Sequence, residues 1–204
     1  TKQAIADYAG NPLIEALPPI FSEEVAMQLI SNFPRPVDPE ELTLDRSTRV
    51  HCIDRLRTVV QPLLFHMDLE SVFSLLVRRG YVGRNPTSPD TVRHLHSLSG
   101  AQRYHDGFKS TAETFSLVGL SGIGKSTALE AILSLYPQTI RHERYEGKQF
   151  VHTQITWLKL DCPRDGSLAG FCQQFFYAVG RALGDEDYYK RYRARNINDS
   201  LQQM

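Results

Sequence analysis

The sequence lacks the features of a secreted or membrane-spanning protein. It contains only three cysteines (Cys52, Cys162 and Cys172), and none has C-x-x-C spacing. This favours reduced thiols in a cytoplasmic protein over a disulfide framework. No apolar run approaches the length of a membrane span, and the N-terminus lacks the charged-then-apolar layout of a signal peptide. We therefore expect a cytoplasmic protein that does not associate with membranes.

The sequence also has no excess of charge of either sign. Its 23 Lys and Arg residues are balanced by 23 Asp and Glu residues, so the formal net charge is zero. The composition therefore gives no basis for a global electrostatic attraction to nucleic acid, and any DNA binding must depend on local patches. The 204-residue length allows one α/β domain or a small domain with an appendage.

A glycine-rich stretch, FSLVGLSGIGKSTALE, spans residues 115–130. Within it Gly119, Gly124, Lys125 and Ser126 fit the phosphate-loop pattern G-x-x-x-x-G-K-[ST]. Glycine lets several backbone N–H groups point at one concavity, and the following helix adds the positive end of its dipole. Lys125 supplies charge for the outer phosphates, and the Ser126 hydroxyl suits Mg²⁺. The alternative is a plain glycine turn with Lys125 merely solvated.

Apolar periodicity predicts a mostly helical N-terminal half. Residues 1–20 predict an extended arm that packs Leu13, Ile14 and Leu17 on another surface. Ser22 and Asp68 are the predicted N-caps of two helices, and Gly80 is the predicted end of the second. Further helices are predicted over 42–60 and 89–98.

The C-terminal half alternates strands and helices. A short strand is expected at 115–118, a helix from the glycine-rich loop to Tyr136, and a helix over 167–183 with Gly184 at its end. Further strands are predicted at 139–144 and 154–160, with a turn at 146–148 between them. This βαβα succession predicts a parallel sheet covered by helices. We place the boundary between an N-terminal arm with helical extension (1–66) and a nucleotide-binding core (67–204).

Three histidines and one aspartate could suggest metal-binding sites, but a structural explanation is favoured for each. His94, His96 and His105 lack carboxylate or cysteine companions at ligand spacing, so surface histidines are favoured over a metal site. Asp161 ends the 154–160 strand and is the only candidate for the acid that holds Mg²⁺ in ATP turnover. It is followed by Cys-Pro, and no later apolar strand precedes Met204. We favour a strand-end residue that caps the next turn.

Four stretches resemble the N-terminal part of TnsC-type AAA+ ATPases, the regulators of multi-component and CRISPR-associated transposons. They are NPLIEALPP (11–19), RRGYVGRNP (78–86), SLVGLSGIGKSTALEAILSLYPQTI (116–140) and WLKLDCPRDGSLAGFCQQFFYAVGRALG (157–184). The resemblance implies a P-loop NTPase core of the AAA+ type, truncated here before the second acidic motif, the sensors and the lid. ATPase activity is therefore implied for the full-length protein, and this chain alone is expected to be inactive.

The resemblance also implies cofactors, partners and site residues. ATP-bound subunits with Mg²⁺ would form a homo-oligomeric ring or filament on double-stranded DNA, linking a TniQ-type target selector to the transposase subunits. Tyr81, Val82 and Arg84 sit where an adenine-side wall is expected, with a structural turn as the alternative. Lys148 and Arg164 are loop cations placed to touch DNA, with exposed surface charge as the alternative. The triphosphate would be held by Ser121, Gly122, Ile123, Gly124, Lys125, Ser126 and Thr127.

Two other classes compete with this interpretation. A small-molecule P-loop kinase would need cationic lid residues, and the cluster at residues 190–195 is the only candidate for such a lid. A nucleotide-independent interaction module would carry a vestigial loop, whereas nothing in this loop is degraded.

Overall fold

The computed structural model describes residues 5–93, 113–192 and 201. Short 3₁₀ turns occur at Ala6–Tyr8, Pro39–Thr43 and Arg55–Thr58. The named helices and strands are, in chain order, α1 (Pro12–Glu15), α2 (Glu23–Ile30), α3 (Arg46–Asp54), α4 (Leu64–Val82), α5 (Lys125–Ser134), β1 (Thr139–Tyr145), β2 (Lys148–Ile155), α6 (Leu168–Leu183) and α7 (Tyr188–Arg191).

The long helix α4 joins the two halves of the chain. One face carries Met67 and Leu69 into a buried cluster with α2 and with α5, which follows the glycine-rich loop. α2 contributes Ala26 and Ile30, and α5 contributes Ala128 and Ile132. Burying such apolar side chains is the main favourable term in folding, so the N-terminal helices and the start of the predicted core share one hydrophobic core.

The N-terminal arm is folded onto the rest of the molecule. Leu13, Ile14 and Leu17 are buried, which confirms that the arm packs these side chains on another surface. The arm is not extended throughout, because Pro12–Glu15 form one short helix. The side chain of Asn11 caps this helix by accepting from the Leu13 N–H at 3.1 Å, as expected for an asparagine before Pro at the first helical position.

Several predicted helix ends are confirmed. The Ser22 hydroxyl accepts from the Val25 N–H at 3.4 Å at the start of α2. The Ser167 hydroxyl accepts from the Gly170 N–H at 3.1 Å at the start of α6. Gly184 ends α6 with a left-handed backbone, φ 72°, which glycine adopts without steric cost.

The predicted limits of α4 are wrong at both ends. Asp68 lies inside the helix, which already begins at Leu64, and Gly80 does not end it, because the helix continues to Val82 and caps on Gly83. Packing against α2 and α5 outweighs the roughly 1 kcal/mol that an interior glycine costs. The helix predicted over 42–60 is also shorter, with α3 followed by a 3₁₀ turn.

The predicted parallel sheet is wrong for the described residues, whose only sheet has two antiparallel strands. The turn at 146–148 was predicted correctly, but its consequence was missed. Glu146 and Gly147 both have positive φ, 48° and 77°, which is the backbone of a two-residue hairpin turn. The chain therefore folds back directly, and β2 starts at Lys148 and ends at Ile155, so the strand predicted to reach Leu160 is not formed.

The strand predicted before the glycine-rich loop is not formed either. Residues 115–118 have no strand assignment and are exposed, with Val118 89 % exposed. A strand needs a neighbour for its backbone N–H and C=O groups, and within the described residues β1 and β2 pair only with each other. In the described part of the chain, this apolar stretch is therefore exposed and has no neighbouring strand.

Some predictions fall outside the described residues. Residues 89–93 are helical as expected, but the rest of the helix predicted to 98 is not described. The same applies to His94, His96 and His105. Within the described ranges, no helix combines the length and apolar character needed to cross a membrane. The domain boundary between residues 66 and 67 stays a prediction.

Candidate phosphate-binding site

The glycine-rich loop has the backbone that its sequence predicts. Gly122 and Gly124 have φ of 79° and 90°, in the left-handed region that non-glycine residues rarely adopt. Gly124 is the N-cap of α5, so the loop passes directly into the helix at Lys125. The first N–H groups of the helix have no intrahelical acceptor, and they face the loop together with the positive end of the helix dipole.

Lys125 is drawn into the loop. Its Nζ donates to the carbonyl oxygens of Gly119 at 2.8 Å and Leu120 at 2.7 Å. Lys125 is therefore hydrogen-bonded within the loop and not merely solvated. An ammonium carries three donors, so one N–H stays available, and the two carbonyl contacts can be exchanged for phosphate oxygens.

The other loop residues are exposed and accessible to a ligand. Ser121, Gly122, Ile123, Ser126 and Thr127 all belong to the exposed surface. The donor set fits a triphosphate, because it combines backbone N–H groups, one ammonium and the hydroxyls of the first helical turn. When bound, Mg²⁺ would neutralise phosphate charge, and Ser126 is the residue placed to hold it. These ligand roles stay predictions.

The helix that carries the loop is fixed at its far end by a buried hydrogen bond. The Tyr136 hydroxyl, two residues past α5, donates to Glu70 Oε1 on α4 at 2.7 Å. Burial, together with the neighbouring Glu70 carboxyl, raises the pKa of Tyr136 to about 12. The rings of Phe21 and Phe73 lie edge-on to Tyr136, with centroids 6.3 and 5.0 Å away. The direction in which α5 presents the loop is therefore set by α4.

The same face of α4 holds a buried arginine. Arg78 is 1 % exposed, and its guanidinium donates to Ser74 Oγ and to the Pro18 carbonyl of the arm, both at 2.6 Å. Glu70, Ser74 and Arg78 follow one another at intervals of four residues, one above the next on the helix. This polar ladder ties the arm, α4 and the end of α5 together.

Sequence reasoning missed the ladder. A helix that ends at Gly80, as the sequence predicts, would put Arg78 in its last turn, where a cation interacts favourably with the helix dipole. The available signal was the i, i+4, i+8 spacing of polar residues in a helix whose remaining inward positions are apolar. Such spacing places the three side chains on one face, but only the structure shows that this face is covered.

The predicted adenine-side residues lie where the arm meets α4 and β2. The Tyr81 hydroxyl donates to the Ile155 carbonyl at 3.1 Å, and the Tyr81 carbonyl accepts from Asn11 Nδ2 at 2.8 Å. Burial raises the pKa of Tyr81. Val82 and Arg84 are exposed. Tyr81 therefore has a structural role in this arrangement, whereas the proposed nucleotide contacts of all three residues stay untested.

The predicted DNA-contacting cations are both exposed. Lys148 begins β2 beside the hairpin turn, and Arg164 lies in the loop before α6. Neither forms an ion pair with another described residue. Their positions leave both charges available, which suits a contact to phosphate as well as ordinary surface charge.

Asp161 is exposed and is not the cap of the next turn. That role belongs to Asp165, whose carboxylate accepts from the Ser167 N–H at 3.1 Å and whose pKa is lowered by this bond. Among the residues that the structure describes, no group of three or more His, Cys, Asp or Glu side chains is placed to hold a metal ion.

The cationic segment considered as a kinase lid is partly engaged elsewhere. Lys190 forms an ion pair with Asp187, and Arg191 forms one with Asp185. Arg193 and Arg195 fall outside the described residues. The two described cations are therefore committed to local partners on α7 and the turn before it.

Comparison with known protein families agrees with the loop geometry. Residues 108–204 match the family model of the AAA domain. The glycine-rich loop and the family match together identify this part of the chain as a nucleotide-binding P-loop module of an ATPase. A comparison with curated proteins finds no match to this chain.

Proposed function

We propose that the protein is an ATP-switched regulator of DNA transposition of the TnsC type. In this proposal ATP and Mg²⁺ bind at the phosphate loop, and the loaded subunits assemble as a ring or filament on double-stranded DNA. The assembly then links a TniQ-type target selector to the transposase subunits. The observation that supports the nucleotide switch is that Lys125 is held by two carbonyls of its own loop. In the proposal, phosphate oxygens take the place of these carbonyls and release the lysine from them.

The particular family is supported by the four stretches quoted above, which extend from Asn11 to Gly184. They include more than the loop, which on its own is common to many nucleotide-binding proteins. The structure places the first two stretches against each other, since Asn11 and Tyr81 are hydrogen-bonded and Arg78 donates to Pro18. Two of the quoted stretches, which lie far apart in sequence, are thus neighbours in this chain.

The DNA contact is proposed to depend on assembly. Because the formal net charge is zero, one subunit offers duplex DNA little attraction. A ring that aligns Lys148 and Arg164 from several subunits along one phosphate backbone multiplies a weak contact by its effective concentration. Such binding is independent of base sequence and falls as salt rises.

Sedimentation of the full-length protein with duplex DNA tests this proposal. We expect large complexes with ATP or a slowly hydrolysed analogue and none without nucleotide. Reversing both cations (Lys148→Glu with Arg164→Glu) should weaken binding to unrelated duplexes alike and lower the salt slope by about one for each lost phosphate contact. Lys190→Glu, which alters a lysine already paired with Asp187, is the matched control. Equal DNA binding by nucleotide-free monomers contradicts the proposal.

A further inference from the structure

The N-terminal extension contains an open apolar groove that takes no part in the phosphate site. It has a volume of about 480 Å³ and lies between the 3₁₀ turn Pro39–Thr43 and α3. Leu42 is 64 %, Val50 59 % and Ile53 61 % exposed. Val37 and Leu56 extend the same apolar surface. Exposed apolar side chains that line one groove make it a candidate interaction site.

The groove is held open by a buried carboxylate. Glu41 accepts from the guanidinium of Arg35 at 2.6 Å and also pairs with that of Arg55. Arg55 Nε donates to the Cys52 carbonyl of α3 at 2.6 Å. These charge-assisted bonds join the 3₁₀ turn to the end of α3, so the walls are fixed before any partner arrives.

Two further arginines line the groove. Arg46 and Arg49 are exposed and form no ion pair with any residue in the described ranges. The nearest acids on α3 are already engaged, since Asp45 caps the Ser47 and Thr48 N–H groups and Asp54 pairs with Arg57. The groove therefore offers exposed positive charge beside an apolar floor.

The spacing along α3 places the arginines and the apolar side chains on the same face of the helix. Arg46, Arg49, Val50 and Ile53 fall at i, i+3, i+4 and i+7, so they share one face of α3. An incoming helix meets such a face with apolar anchors at the same spacing and with carboxylates at its end or edge. A guanidinium binds a carboxylate through two parallel N–H donors, which adds orientation to the attraction.

We propose that this groove binds an acidic amphipathic helix of a partner protein. Nucleic acid is a poor occupant, because its phosphate backbone has nothing to fill the apolar floor. The anionic surface of a membrane is broad and flat, whereas these side chains line a groove between the 3₁₀ turn and α3. An acidic helix satisfies the arginines and the floor at once. This inference is independent of the proposed nucleotide switch.

A displayed library of random peptides about 16 residues long, long enough for four helical turns, tests the proposal on the full-length protein. Selection on the wild type should enrich sequences with Leu, Ile or Phe at i, i+3/i+4 and i+7 and with Asp or Glu beside them. The Arg46→Glu, Arg49→Glu double variant should bind the selected peptides about tenfold more weakly, as expected for losing and reversing two ion pairs. Arg57→Glu, outside the groove, should bind them normally.

A chemical readout locates the bound peptide. Cys52 lines the groove and is partly exposed, whereas Cys162 is exposed far along the chain. A saturating selected peptide should slow alkylation of Cys52 severalfold, mapped by mass spectrometry, and leave Cys162 unchanged. Because Arg46 and Arg49 have no described partners, the double variant should keep the wild-type circular dichroism spectrum and melting temperature.

Other outcomes overturn the proposal. These are no enrichment, enrichment of basic or patternless peptides, equal binding by the double variant, or unprotected Cys52. Loss of binding to phosphatidylserine vesicles or to duplex DNA in the double variant, without loss of the peptides, would assign the groove to a membrane or to DNA. Self-association that is present in the wild type and absent in the double variant would assign it to a second copy of the chain.

Discussion

The phosphate loop and the contact between the arm and α4 differ in how far apart their interacting residues lie in the sequence. Lys125 bonds carbonyls five and six residues away. By contrast, Arg78 reaches a carbonyl 60 residues away, and Gln154 Nε2 donates to the Leu13 carbonyl across 141 residues. The loop is exposed and locally determined, whereas the arm contact is buried and depends on the complete fold.

This difference decides what a substitution does. A change in the loop alters a binding surface and leaves most of the core intact. A change in the arm contact leaves buried donors or acceptors without partners, and this costs far more than an exposed hydrogen bond contributes. Variants of the two regions should therefore separate stability from ligand affinity.

The largest effect on stability is expected for Arg78→Ala. The substitution removes a buried side chain and leaves the Pro18 carbonyl and the Ser74 hydroxyl without their donor. We expect a loss of about 3–5 kcal/mol in the free energy of unfolding, measured by urea denaturation. The neighbouring Arg79→Ala is the matched control. Arg79 is exposed and pairs with Glu113, so its loss should cost no more than about 1 kcal/mol. Equal costs for the two variants would contradict the buried ladder.

A smaller effect is expected when a loop glycine gains a side chain. Gly124→Ala forces alanine into φ 90°, which should lower the nucleotide-free protein's stability by about 1–2 kcal/mol. Gly119 has no positive φ, and a Cβ there would meet Ile123 Cγ2 and Lys125 Cδ at ordinary distances of 3.6 and 3.7 Å. Gly119→Ala should therefore cost less in thermal unfolding without nucleotide. The reverse order would mean that the loop backbone is not the one described.

A comparable effect at neutral pH is expected for Tyr136→Phe. Losing the bond to Glu70 should cost about 1–2 kcal/mol. Because folding raises the pKa of Tyr136 from 10.0 to about 12, the folded state binds its proton more tightly. The resulting stability is fully present below pH 10 and is lost as pH rises toward 12, by about 1.4 kcal/mol per pH unit.

The change of the free energy of unfolding with pH at alkaline pH provides a control for this prediction. Tyr145 also has a pKa raised to about 12, through burial and the neighbouring Glu15. Urea unfolding between about pH 9 and pH 11 should therefore show a slope that Tyr136→Phe reduces but does not abolish. An unchanged slope in that variant would mean that the hydroxyl is not buried against Glu70.

The same contrast explains which parts of the structure could be predicted from sequence. The loop, its helix, the cap at Ser22 and the end of α6 at Gly184 depend on residues within a few positions, and all are predicted correctly. The parallel sheet was not, because strand order depends on which segments meet. The turn at Glu146 and Gly147 sends β2 back along β1, while 115–118 finds no partner in the described part of the chain.

Buried polar residues were the second failure. Glu70, Ser74 and Arg78 have the composition of an exposed helix face, and sequence gives no sign of what covers them. Tyr136 and the arm cover this face from two sides, and both contacts span 60 residues or more. Such a ladder becomes predictable only when the partners of a helix are known.

Nucleotide binding by the Lys125→Ala variant tests the central claim most directly. Equilibrium titration of the full-length protein with a fluorescent ATP analogue and Mg²⁺ should show an affinity roughly a hundredfold lower, because the charge on the outer phosphates is lost while the loop backbone stays. Lys159→Ala is the matched control, since Lys159 lies outside the loop and pairs with Glu130 on α5. We expect near-wild-type affinity for Lys159→Ala. Wild-type affinity in Lys125→Ala itself would contradict the assignment of the phosphate site.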